Sequence, residues 1–545
     1  MEGRSLMRKL NCLLVVLFLA IPLVAMAEKP ALVVLISVDQ LRGDMPQEYR
    51  DRFVEGGFRR FFDAGVVYPN AHFGHTTTYT ASGHATLATG GNPREHGLIG
   101  NSWIDAATGD TVYCVQDTEH TLLGANTSRT SGTSPKNMLS PTIGDALIDA
   151  TDGEARVFSV SRKDRSAILM GGHKGKAYWF DGVSGRYITS TYYHDEYPAW
   201  ITRWNDAKPA DAYAGGAWTL LRDRATYTYR DQDEREAELT HPVIGETFPH
   251  SFEGLEGRSL YGVLNVTPFS DSLTVDIAQT LIREHKLGRG SATDFLAVGL
   301  SATDGVGHAF GPYSLEAEDN VLRVDLLLSE FFEFLEEWIG MDKVVVALSA
   351  DHGVDGNPPG QEMGIMNSTQ TLEAAKAAVK NKYGADADYV GRFSTPYVYF
   401  TPEALALPAE KQAEVEAVIA RALRKVDGVA YAISKHQIVT NDLDGSPVMQ
   451  RVRRSFHPDL SGSVFVIQDE YHRIASGRVP YTATHGTPYG YDTHVPVMFL
   501  GPGIPNATVD RAVGPESIAA TLAALLGIEA PSGATGPVLS EVTGE

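Results

Sequence analysis

At 545 residues the chain exceeds the size at which one hydrophobic core stops growing, so it requires a large domain with insertions or two domains. Its composition, 43% hydrophobic and 21% charged, excludes a fibrous or low-complexity chain. A formal net charge of −22 argues against nucleic acid or an anionic membrane surface as the main partner.

The chain opens with Arg8 and Lys9 ahead of an apolar stretch, Leu13 to Val24, too short for an ordinary transmembrane span. Ala25-Met26-Ala27 supplies a small-x-small cleavage site, so residues 1–27 are predicted to be a signal peptide. Its removal takes away three basic residues (Arg4, Arg8, Lys9) and one acid (Glu2), which lowers the net charge by two to −24. Of the two cysteines only Cys114 then remains, so no intramolecular disulfide forms. An exported protein of this kind relies on core size and bound metal for stability. With no other long hydrophobic segment, the mature chain is expected to be soluble, without a membrane partner, and periplasmic or secreted.

From residue 28 onward, apolar runs alternate with helical patterns, as in a doubly wound, mostly parallel central sheet flanked by helices. Ala31–Val38 reads as a strand buried on both faces and is followed by Asp39. Thr76 to Thr89 is crowded with hydroxyls and then becomes helix-like. A hydroxyl at a helix N-terminus lies among free N–H groups, where an alkoxide or phosphoryl group is stabilised. Composition does not choose among Thr76, Thr77, Thr78, Thr80 and Ser82. Residues about 175–260, rich in Tyr, Trp, Asp and Arg, read as an insertion capping the sheet edge. Phe295–Leu300 is a second buried strand, with Asp304 and His308 just beyond it; the intervening glycines are expected to give a tight backbone that turns both side chains to one point. The helical pattern Glu316–Ile339 leads to a third strand, Val344–Ser349, followed by Asp351-His352-Gly353. Residues about 355–480 read as a second insertion, with a helix over Ala409–Val426. His485 follows a polar run, Val495–Leu500 is one more core strand, and Glu516–Leu526 the last helix.

Three aspartates share one topological position, the C-terminal edge of a buried strand, where open α/β sheets place their ligands. Asp39, Asp304, His308, Asp351, His352 and His485 form a mixed oxygen and nitrogen set that suits Zn²⁺. Six ligands are enough for two ions with three protein ligands each, leaving positions open for substrate. His494 is a rival to His485, ranked second because it immediately precedes a core strand.

The segments Ser37-Val-Asp39-Gln-Leu-Arg42, Thr78-Tyr-Thr80-Ala-Ser-Gly-His84, His96-Gly-Leu-Ile-Gly-Asn101, Ser161-Arg-Lys163-Asp-Arg165, Asp304-x3-His308, Asp351-His352-Gly353 and Thr484-His485-Gly486 occur in an order that resembles the alkaline phosphatase superfamily. They most resemble its bacterial branch with a threonine nucleophile, the PafA-type phosphomonoesterases. The resemblance runs from about residue 31 to about 526, and it implies an alkaline phosphatase-like α/β domain over 28–545. By that resemblance Thr80 is the nucleophile and two Zn²⁺ are bound, one by Asp304, His308 and His485, the other by Asp39, Asp351 and His352. Asn101, Lys163 and Arg165 look like substrate-phosphate contacts, although read alone Lys163-Asp164-Arg165 is a solvated surface turn.

Charge supplies a separate argument. Two Zn²⁺ are cancelled by three carboxylates and a threonine alkoxide, so Lys163 and Arg165 match the two negative charges of a phosphate monoester. The implied activity is zinc-dependent hydrolysis of small-molecule phosphate monoesters through a phosphothreonine. The alternatives are a nucleotide pyrophosphatase/phosphodiesterase of the same superfamily and an exported zinc-binding protein without turnover. A sulfatase is disfavoured, because no Cys/Ser-x-Pro-x-Arg segment replaces the threonine region.

Overall fold

In a computed structural model the protein is described over residues 29–125, 132–231, 233–234, 241–356, 361–477, 479 and 481–544. The signal-peptide expectation for 1–27 lies outside the described residues. Among those described, no helix is long and apolar enough to cross a membrane.

Ten strands form the central sheet: β1 (Leu32–Val38), β2 (Val66–His72), β3 (Leu122–Leu123), β4 (Val157–Ser161), β5 (Lys176–Asp181), β6 (Arg186–Ser190), β7 (Asp294–Leu300), β8 (Val344–Ser349), β9 (His494–Leu500) and β10 (Ala507–Thr508). Their spatial order is β10-β2-β9-β8-β1-β7-β4-β5-β6-β3. The middle of the sheet, β8-β1-β7-β4-β5, is parallel throughout. On the flanks, β9 runs antiparallel to both β8 and β2, and β6 antiparallel to β5. Every residue of β1, β7 and β8 is buried, as continuous Val, Leu and Ile runs require when helices cover both faces.

Register decides where the aspartates go. Val38 lies opposite Leu300 and Ser37 opposite Ser349, so β1, β7 and β8 end at one level. Five helices matter to that edge: α1 (Thr80–Thr89), α2 (Asp164–Gly171), α3 (Phe269–His285), α4 (Ala302–Phe310) and α5 (Leu315–Ile339). α5 carries the chain from β7 to β8, with β1 lying between those two strands. It buries Val321, Val324, Leu328, Phe331 and Leu335 against the sheet. Each such side chain contributes roughly 1.5–3 kcal/mol relative to exposure.

Two expectations change in detail. The Asp304–His308 segment is a helical turn of α4, with both residues on one face by their i,i+4 spacing. Its glycines serve close packing: a side chain at Gly305 would collide with the Asn265 carbonyl, and one at Gly307 with the Gln40 amide. Within 175–260, β5 and β6 extend the central sheet, and a small two-stranded sheet pairs 217–218 with 250–251. Residues 390–468 build a separate four-stranded antiparallel sheet, packed on helices Ser368–Tyr383 and Ala409–Leu423 through Val398, Val415 and Ile419. The helix expected over 516–526 is Ser517–Leu526, stopped by Gly527 in the left-handed conformation, and a four-residue helix, Ser540–Thr543, follows it.

Candidate metal and phosphate site

Asp39 follows β1 directly, Asp351 lies two residues beyond β8, and Asp304 sits in the first turn of α4 after β7. Together with the histidines they converge at the C-terminal edge of the sheet. Asp39, Asp351 and His352 offer ligand atoms within 4.8 Å of one another, and so do Asp304, His352 and His485. His308 Nε2 stands 3.2 Å from Asp304 Oδ1 and His485 Nε2 3.6 Å from the same oxygen. His352 is therefore shared geometrically between the two groups, its ring stacked on His485 at 3.5 Å between centroids.

The tautomers follow from the backbone. His352 donates Nδ1–H to the Gly353 carbonyl at 2.9 Å, His308 to Ala483 at 2.7 Å and His485 to Thr78 at 2.7 Å. A carbonyl only accepts, so each ring carries a proton on Nδ1 and turns its Nε2 toward the carboxylates. That is how metal-ligating imidazoles are oriented from behind. Buried Asp39 Oδ1 and His352 Nε2 have no hydrogen-bond partner, the donor set a divalent cation satisfies. Burial pushes His352 down to about 4, and burial with the neighbouring His352 and His308 holds His485 well below the usual imidazole range, so both remain neutral ligands. Burial and the charge of Asp351 raise the Asp39 carboxyl. Burial also opposes ionisation of Asp304, but Lys163, His308 and His485 hold it well below the carboxylate range. The residues fit a pair of divalent ions.

The hydroxyls separate by their partners. Thr76 is engaged with Ser455, Thr78 donates to the Thr487 carbonyl, and Ser82 to the Leu98 carbonyl. Thr77 Oγ1 is buried without a partner. Thr80 is the first residue of α1 and its hydroxyl lies 3.4 Å from Arg165 Nη2. α1 approaches the metal edge closely, since a side chain at Gly83 would collide with the Asp351 carbonyl. Asn101 Oδ1 accepts from Ala81 N at 2.9 Å, capping α1 and leaving its Nδ2 hydrogens for another acceptor.

Lys163-Asp164-Arg165 is no surface turn. Lys163 is buried, with Nζ 2.5 Å from Asp39 Oδ2 and 2.6 Å from Asp304 Oδ2, so its charge bridges both carboxylate groups. Asp164 opens α2 and accepts from the Tyr113 hydroxyl at 2.7 Å. His494 stands apart: its Nε2 hydrogen-bonds the Pro69 carbonyl and its ring stacks on His72.

Sequence reasoning missed three supporting residues. Gln40 adopts φ +71°, donates its backbone N–H to Asp351 Oδ1 at 3.1 Å and its side-chain amide to Asp304 Oδ1 at 2.9 Å. It ties both carboxylate groups together from a strained backbone. His84 Nδ1 lies 2.9 Å from the Thr80 carbonyl and 3.1 Å from Asp351 Oδ2, joining α1 to the cluster. The i,i+4 spacing from Thr80 was a signal for it. Asp271, in the first turn of α3, accepts from Ser301 N and Ala302 N and so caps α4; burial pushes its carboxyl up to about 7. Nothing in its local sequence marks that role.

A family model described as type I phosphodiesterase / nucleotide pyrophosphatase matches residues 33–488. The chain is 35% identical to alkaline phosphatase PafA of Elizabethkingia meningoseptica, over 95% of this chain and 95% of the relative. It is 34% identical to a protein named calcium-transporting ATPase from Myroides odoratus, over 94% and 95% respectively. It is 33% identical to alkaline phosphatase PhoV of Synechococcus elongatus, over 94% and 93%. A crystal structure of wild-type PafA superimposes with a TM-score of 0.86 at 33% identity, covering 95% of this chain and 99% of that one. A variant of the same protein, substituted at a threonine, an asparagine, a lysine and an arginine, superimposes equally well at 0.86.

Proposed function

Since the chain belongs to the type I phosphodiesterase / nucleotide pyrophosphatase family, within the alkaline phosphatase superfamily, we propose that it is an alkaline phosphatase hydrolysing small-molecule phosphate monoesters through a phosphothreonine at Thr80. One observation supports this reading: the Thr80 hydroxyl lies 3.4 Å from Arg165, while Lys163, two residues earlier, bridges Asp39 and Asp304 in a cluster of carboxylates and imidazoles. The names of the relatives support the same activity.

Asp304, His308 and His485 would hold one Zn²⁺ and Asp39, Asp351 and His352 the other. Bound there, zinc supplies Lewis-acid charge that lowers the pKa of the attacking hydroxyl and stabilises the departing oxygen. The residues of the chain do the rest. Arg165 presents a fork to two phosphoryl oxygens, Lys163 a point charge, and the Asn101 amide a neutral donor. Thr80 Oγ attacks phosphorus in line, its proton passing to solvent, as the ester oxygen leaves. Water then displaces Thr80 from the phosphothreonine and yields phosphate. The transition state is loose, so positioning and charge dominate catalysis.

Lys163 and Arg165 together suit a dianion, which favours monoesters over the singly charged diesters. The decisive assay compares an aryl monoester with its diester on purified protein, before chelation, after it, and after zinc return. We expect a monoester preference, loss of about 100-fold or more on chelation, and recovery with zinc. A diester preference would make the chain a phosphodiesterase, and metal-replete protein inert on both would make it a zinc-binding protein without turnover.

The basic start, short apolar stretch and Ala25-Met26-Ala27 site support export with cleavage after Ala27, to the periplasm or beyond. The mature chain should then begin at Glu28, which its intact mass checks directly; retention of residues 1–27 would contradict export by this route.

A further inference from the structure

Beside the candidate metal edge lies a buried ion pair whose two residues belong to neither the proposed metal ligands nor the proposed phosphate contacts. Arg473 Nε and Nη2 form a fork on Asp355, 2.9 Å to Oδ2 and 2.9 Å to Oδ1, with both side chains almost fully buried. Asp355 sits three residues beyond His352, on the loop that carries Asp351. Its Oδ1 also accepts from Thr484 N at 2.7 Å, and its own N–H donates to the Thr484 carbonyl at 2.8 Å. Thr484 directly precedes His485. Arg473 Nη1 reaches the same loop at the Tyr481 carbonyl, 3.2 Å away. The loop's other side is tied to α4, where Thr482 N donates to the His308 carbonyl and Ala483 accepts from the His308 ring. Arg473 itself belongs to strand His472–Ala475, which pairs with Gly364–Asn367 outside the central sheet.

We propose that the Asp355–Arg473 pair is a positioning device that clamps the His485 loop to the Asp351–His352 loop and thereby sets how tightly the centre holds its metal. This rests on the metal reading of the site and extends it to residues outside the ligand set. A buried fork of this kind is directional: only a planar guanidinium satisfies both oxygens while its third nitrogen holds a carbonyl. Without the pair, one backbone–backbone bond, from Asp355 N–H to the Thr484 carbonyl, still ties Asp355 to the residue before His485.

The test is a competition titration of Zn²⁺ against a chromophoric chelator, with circular dichroism and melting temperature read alongside. Three folded proteins are compared: wild type, Arg473→Lys, which keeps the charge and loses the fork, and Asp355→Asn combined with Arg473→Met, which leaves no unpaired buried charge. We expect zinc affinity to fall about 10–100-fold in both variants, as for groups that orient metal ligands. The loss of kcat at limiting zinc should be rescued by excess zinc. Wild-type zinc affinity in both variants would overturn the proposal, even if their melting temperatures fell, because that is what a merely structural pair would do. Wild-type protein that binds no zinc would overturn the metal reading itself, and this inference with it.

Discussion

Thr80→Ala should abolish turnover of phosphate monoesters, with kcat/KM falling by at least about 10⁴-fold, the scale of losing a covalent nucleophile. The reason is local. Thr80 opens α1 with its hydroxyl 3.4 Å from Arg165, and it is not among the six proposed metal ligands. Zinc content should therefore be unchanged in the variant, and inorganic phosphate should still bind, because Lys163, Arg165 and Asn101 remain. Thr80→Ser keeps an oxygen at the same place and should recover most of the activity. Steady-state rates and metal analysis on the three proteins decide the matter. An alanine variant with near-full turnover would remove Thr80 from the chemistry. Thr77, whose buried hydroxyl lacks a partner, would then be the next residue to substitute.

The second large effect concerns charge matching. Arg165→Ala should lower kcat/KM for a monoester by about 10²–10³-fold, the cost of one preorganised donor to developing charge in a water-poor site. The loss for the matching diester should be several-fold at most, because a singly charged phosphoryl group needs one cation fewer. Equal losses on both substrates would defeat the argument for monoester specificity. Lys163→Ala should show the same bias together with a stability effect. Its ammonium bridges Asp39 and Asp304, so the metal-free variant leaves two buried carboxylates unpaired. A loss of about 3–5 kcal/mol is expected there, readable as a lowered denaturation midpoint that bound zinc reverses by mass action.

Much of the site was legible because its chemistry lies at strand ends. Continuous apolar runs announce buried parallel strands, and an aspartate just past such a run breaks a pattern that nothing in the core requires. That reasoning located Asp39, Asp304 and Asp351 without knowledge of the fold. The histidines were found by proximity to those aspartates and by resemblance. At Asp304–His308 the expected tight backbone that turns both side chains to one point is a helical turn, and the two side chains do meet. In the structure the packing of α4 against Asn265 and Gln40 demands glycine on its inner face, and tertiary contact overrides local propensity.

What the amino-acid order determined by itself was the set of chemical groups: three carboxylates, three imidazoles, a hydroxyl-rich helix start and a lysine–arginine pair, with buried strands to carry them. It could not determine which groups come within ligand distance of one another, which hydroxyl lies beside Arg165, or what ties the two candidate ligand loops together. Those depend on strand register, on the depth at which α1 meets the Asp351 backbone, and on pairs such as Asp355–Arg473 drawn from segments 118 positions apart. The physical reason is that burial and hydrogen bonding act through space. A carboxylate capping a distant helix, like Asp271, looks the same in one dimension as one facing water.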